Sequence, residues 1–157
     1  MNLLTARKCY NNIMKYVALL RGINVGGKNK VEMKKLKQIF EGLGYANVST
    51  YINSGNVLFE SKDKDFSKIE PALKRTFGFE IKVLVRDMNN LKKICLSVPE
   101  NWKNNEENKI DVLFLWDEYC NKKSVDLIKI NPEVDTLKYF EFKQVSRLSF
   151  LFSLKAF

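Results

Sequence analysis

Hydrophobic positions along the chain follow two alternating rhythms. Residues 15–21, KYVALLR, are a short apolar run stopped by a glycine-rich stretch, which predicts a buried strand. Met33, Leu36, Ile39, Phe40 and Leu43 then recur at three- and four-residue spacing, one face of a helix. Gly44 follows the last of them and suits a left-handed helix cap. VSTYI (48–52) and VLFES (57–61) flank Asn-Ser-Gly-Asn, a hairpin signature. A second helical face runs through Phe66, Ile69, Leu73 and Phe77, with Ser67 and Glu70 as an expected capping box and Gly78 as terminator. FEIKVLVRD (79–87) predicts a further strand, and 88–97 a short helix.

The order is β-α-β-β-α-β, which predicts an α+β, ferredoxin-like unit. Right-handed crossovers place the first two strands parallel, with the third antiparallel between them and both helices on one face. Residues 98–109 are polar and Asn-rich and read as a linker. A strand (110–116), a helix (124–130) and two strands (136–142, 147–154) follow, a second and incomplete βαββ unit over 110–157. Residues 1–13 read as a flexible extension.

The candidate chemistry lies in GINVGGKN, residues 22–29, between the first strand and the first helix. It matches G-x-x-x-x-G-K, yet Asn29 stands where a phosphate-binding P-loop needs a hydroxyl for magnesium. With an antiparallel sheet expected as well, these two features count against NTP hydrolysis. An anion site remains. Gly22, Gly26 and Gly27 free the backbone to point N–H groups inward, Arg21, Lys28 and Lys30 bring charge, and the helix start adds its partial positive end. The plain alternative is a connection that only turns, with Asn24 and Asn29 bonding local backbone.

Topology puts this loop and the 53–56 turn at the same end of the sheet, two strand spacings or roughly 10 Å apart. Tyr51, Asn53, Ser54 and Asn56 are therefore expected to face Arg21, Asn24 and Lys28 across a small cleft. Asn-Ser-Gly-Asn is also a good hairpin turn by itself, yet two donor-rich loops at one sheet edge favour the cleft.

Composition narrows the chemistry further. The chain has 157 residues, a net charge of +9 and no histidine. Triads built on histidine are excluded, as are histidine-containing zinc sites. The positive charge favours anionic partners, although lysine dominates it and codon bias contributes. Cys9, Cys95 and Cys120 are far apart and read as mostly buried, reduced thiols of a cytoplasmic protein. No apolar run is long enough to span a membrane.

KYVALLRGINVGGKNKVEMKKLKQIF, followed by LGYANVSTYINSGNVLFES, resembles a bacterial family catalogued as domain of unknown function 1697. The resemblance implies two ferredoxin-like units in tandem. It also implies a Thr-x-Arg-Asn segment beyond Phe157, so the chain reads as truncated. The family's signature loops correspond here to Arg21, Gly22, Asn24, Gly26, Gly27, Lys28 and Asn29, and to Tyr51, Asn53, Ser54, Gly55 and Asn56.

The leading expectation is a protein that binds a phosphate-bearing small molecule or nucleotide at these loops, with nucleic acid a weaker candidate. The alternatives are an enzyme using the same cleft, with Tyr51 or Lys28 as proton donor, and an interaction module that self-associates through its incomplete second unit. The residues specify no cofactor and no reaction.

Overall fold

The structure is a computed structural model. It describes residues 13–51, 55–103, 105–106, 108–115, 123, 126, 128–129, 131–133, 135–141 and 149–156. The chain divides between Lys93 and Ile94 into two compact units.

The first unit is a four-stranded antiparallel sheet with helices. Its strands are β1 (Met14–Leu20), β2 (Ala46–Tyr51), β3 (Asn56–Ser61) and β4 (Val83–Asp87), and their order across the sheet is β2-β3-β1-β4. Because β3 is antiparallel to both β1 and β2, those two run parallel on either side of it. The helices are α1 (Met33–Gly42), α2 (Ile69–Phe77) and α3 (Met88–Ser97), the last crossing the division between units.

One face of the sheet carries the core. Tyr16, Ala18 and Leu20 alternate along β1, in register with Phe59 and Val57 of β3. Leu36 and Phe40 of α1 and Ile69 and Leu73 of α2 close over them in a single cluster. Phe40, Tyr45, Phe59 and Phe66 pack as an aromatic group, with centroids 4.6–6.1 Å apart.

Helix α1 ends as its glycine predicts. Gly44 takes a φ of 86°. Its N–H donates to the Glu41 carbonyl and that of Tyr45 to the Phe40 carbonyl, while the Tyr45 and Phe40 rings touch. This is a Schellman motif with its hydrophobic contact. Gly78 ends α2 in the same left-handed region, at 81°.

Three expectations from the sequence are corrected. Ser67 and Glu70 do not form a capping box. Lys68 occupies the cap position of α2 without a side-chain bond, and Ser67 instead donates its N–H to Asp65 Oδ1 at 2.9 Å. An acceptor two residues upstream wins over one that needs the helix already formed. Strand β4 begins at Val83 rather than residue 79, because its partner β1 ends at Leu20, the residue paired with Val83. Phe79 and Ile81 contribute to the core from an irregular segment. Finally, Cys95 is exposed rather than buried.

Asp87 caps α3, a signal the sequence reading passed over. Its carboxylate accepts from the Asn90 main-chain N–H at 2.8 Å and from Asn90 Nδ2 at 2.6 Å.

The second unit contains a three-stranded sheet of β5 (Asn108–Phe114), β6 (Asp135–Glu141) and β7 (Ser149–Ala156), in the order β5-β7-β6. Here too the third strand lies antiparallel between the first two. Most of the helix expected over 124–130 lies outside the described residues. Trp102 is buried, with Lys138 Nζ 5.4 Å from its ring centroid.

Tyr45 sets an alkaline limit on stability. Its hydroxyl is buried with no hydrogen bond among the described residues. Burial, with the Asp65 and Asp63 charges adding to it, pushes the phenol up to about 12. Unfolded tyrosine ionises near pH 10. The folded protein therefore holds this proton longer, and stability present below pH ~10 drains away as pH rises toward about 12. Urea unfolding midpoints across that window are expected to fall, and Tyr45→Phe is expected to flatten the fall. An equally steep fall in Tyr45→Phe would contradict this assignment.

Candidate functional site

The glycine loop is a folded miniature, not a slack connection. It leaves β1 at Leu20, buries Ile23, emerges over residues 24–30 and returns to the core at Val31. The excursion closes as a small hairpin. The Asn24 N–H donates to the Asn29 carbonyl at 3.1 Å, and the Lys28 N–H to the Val25 carbonyl at 3.1 Å. Gly26 and Gly27 form the tip with φ of 59° and 76°. A tight turn of the type I′ family needs two consecutive positive φ angles, which a Gly-Gly pair adopts without strain.

Two asparagines brace this hairpin. Asn24 Nδ2 donates to the Val31 carbonyl at 3.1 Å, and Asn24 Oδ1 accepts the Val31 N–H at 2.8 Å. Asn29 Nδ2 donates to the Gly22 carbonyl at 3.0 Å. Both asparagines sit in the left-handed region, at 55° and 52°. Their side chains thus serve the backbone, as the plain alternative expected. Gly22 is a further left-handed corner at 72°, and the Arg21 N–H donates to the Lys82 carbonyl of the neighbouring chain segment at 3.0 Å.

The loop and the β2-β3 turn meet directly. Gly55 is buried at a φ of 82°. A Cβ built on it would overlap Ile23 Cδ1 and lie 3.1 Å from Ile23 Cγ1 and 3.2 Å from Leu20 Cβ. The turn is therefore seated against the base of the glycine loop. Asn53 and Ser54 lie outside the described residues.

The remaining candidates separate by strand parity. Tyr51 pairs with Asn56, and Asn56 pairs with Leu19. All three alternate with core residues, so they lie on the sheet face opposite the helices. Tyr51 is 62% exposed there. The lysine side is elsewhere. Asn24, Lys28, Lys30, Glu32, Met33 and Lys34 line an open groove of about 660 Å³ at the start of α1. Arg21, Tyr51 and Asn56 are not among the residues lining it. Lys30 carries the expected charge into the groove, and Lys34 joins it from α1. Its position on the first turn follows from the helical period.

The groove's electrostatics are simple. Lys28, Lys30 and Lys34 are exposed, and none forms an ion pair among the described residues. Glu32 is the single carboxylate on the lining. Helix α1 has no side-chain cap at Glu32 and no acidic residue in its first turn, so its leading amides keep their partial positive charge. The described residues hold no group of three or more histidine, cysteine or carboxylate side chains able to take a metal ion.

A family model described as a protein of unknown function (DUF1697) matches residues 13–142. The chain belongs to this family. Among solved structures, this DUF1697 protein resembles the conserved bacterial protein SP0830 from Streptococcus pneumoniae. The identity is 24% and the TM-score 0.65, over 90% of this chain and 77% of that one. At that identity the likeness concerns the fold. No curated protein matches the chain. Among the described residues of this DUF1697 member, no helix is long and apolar enough to cross a membrane.

The Ile23–Gly55 seat is testable by a double-mutant cycle. Gly55→Ala adds a Cβ at a left-handed φ and onto Ile23, and is expected to cost about 2–4 kcal/mol in urea unfolding. Ile23→Val deletes Cδ1 and is expected to return about 1 kcal/mol of that in the double variant. Simple additivity would show that the two residues do not touch.

Proposed function

We propose that the protein binds a phosphate-bearing small molecule or nucleotide in the groove at the start of α1. One observation carries this reading. Lys28, Lys30 and Lys34, which form no ion pair among the described residues, converge with an uncapped helix start on a loop whose asparagine side chains are bonded to its own backbone. Such a loop needs little reordering when a ligand arrives, so less of the binding energy is lost to it. Gly27 lines the groove and keeps the approach to its main chain free of side-chain bulk. Three positive charges against the one of Glu32 leave the groove net cationic.

The same reading assigns Asn24 and Asn29 to bracing and Lys28 to direct neutralisation of the ligand. Arg21 acts from the adjoining strand end, and Tyr51 and Asn56 stand apart on the other sheet face. Both units are inferred to share a ferredoxin-like arrangement. Each places its third strand between the first two, which supports the inference. A cytoplasmic location fits the lysine-rich chain and the free Cys95 thiol.

Thermal unfolding with inorganic phosphate, pyrophosphate, AMP and ATP tests the proposal. A ligand at a hundredfold excess over its Kd is expected to stabilise the wild type by about 2.7 kcal/mol. The triple variant Lys28→Ala, Lys30→Ala, Lys34→Ala is expected to lose that gain while unfolding at the wild-type temperature without ligand. Stabilisation by none of the four anions, or equal stabilisation of the triple variant, would overturn the proposal. A larger response to short oligonucleotides would move the ligand class to nucleic acid.

A further inference from the structure

Strand β4 is an edge of the first unit's sheet, paired only with β1 among the described residues. The Lys82 carbonyl points toward the β1 side, where it accepts the Arg21 N–H. Alternation then turns the main-chain groups of Val83 and Val85 outward, to the edge. Side chains occupy that edge. The Val83 N–H donates to Glu70 Oε1 at 2.9 Å, and Arg86 Nη1 donates to the Val85 carbonyl at 3.1 Å. Lys82 Nζ holds the second oxygen of Glu70 at 3.3 Å.

Beside this edge runs a groove of about 680 Å³ whose apolar walls include Phe66, Pro71, Ile81, Val83 and Val85. An outward main-chain row next to an apolar groove is the arrangement that accepts an added strand. The opposite edge strand, β2, is spoiled for such pairing by a register shift between Ala46 and Ser49, with Asn47 at a φ of 50°. The β4 edge is regular, and its outward Val83 N–H is closed by a carboxylate.

We infer that Glu70 is a lock on the outer edge of β4. Its carboxylate occupies the place that a carbonyl of an added strand would take, and so keeps the edge from pairing with a second copy of this chain. The sequence predicts Glu70 as a helix cap. The structure instead sends it from the first turn of α2 to a strand edge.

Sedimentation velocity over a range of protein concentrations tests the lock. Glu70→Ala leaves the Val83 donor open and is expected to self-associate about tenfold more tightly than the wild type, the equivalent of one hydrogen bond. Glu70→Gln retains an acceptor oxygen and is expected to behave as the wild type does. Adding Val83→Pro to Glu70→Ala removes the edge donor and is expected to restore wild-type behaviour, since proline is tolerated where the N–H faces outward. Three results would each overturn the inference. These are association of Glu70→Ala no tighter than wild type, equal association of Glu70→Gln, and association that Val83→Pro does not reverse. The last result also identifies a variant that associates merely because it has unfolded.

Discussion

The paired hydrogen bonds between the Asn24 side chain and the Val31 main chain carry the architecture of the candidate site. The chain must leave β1, expose residues 25–30 and re-enter the core at Val31 to start α1. Glycine-rich backbone loses much entropy on being fixed, so such an excursion stays open unless something closes it. Asn24 closes it with one amide, which serves as donor and acceptor at once. A net contribution of roughly 1 kcal/mol per bond is small beside the core. It acts, however, where few apolar contacts are available. Ile23 and Val31, at the two feet of the hairpin, then anchor to the same hydrophobic cluster.

This bracing changes how the loop's chemistry is understood. The polar residues that look most like ligand-orienting groups, Asn24 and Asn29, are spent on the backbone. The lysines Lys28, Lys30 and Lys34 line the groove instead. Rigidity and charge are thus divided between different residues. The glycines permit the tight corner, the asparagines hold it, and the lysines meet the solvent. Gly55 adds a second support by packing against Ile23 at the base of the loop.

Much of the first unit was legible because period and punctuation agreed. The apolar stripe of α1, its Gly44 terminator and the strand pairing around β3 depend on local spacing, and the fold preserves them. What was missed depended on partners distant in sequence or on competition between neighbours. The length of β4 is set by where β1 stops. The Ser67 cap lost to Asp65, and Glu70 found a strand edge that no local pattern announces. The separation of Tyr51 and Asn56 from the lysine groove was in principle readable. Once Val57 and Phe59 are assigned to the core, parity sends Asn56 and its partner to the other face. The pleat speaks for Tyr51 and Asn56 alone, since Asn53 and Ser54 lie outside the described residues.

Backbone order parameters of residues 24–29 from nuclear spin relaxation test this account most directly. A hairpin clamped by Asn24 and Asn29 is expected to give values near 0.85, those of rigid backbone, even at Gly26 and Gly27. Values below about 0.6 across these residues would mean that the clamp does not hold, and that the lysine groove has no fixed shape to offer a ligand.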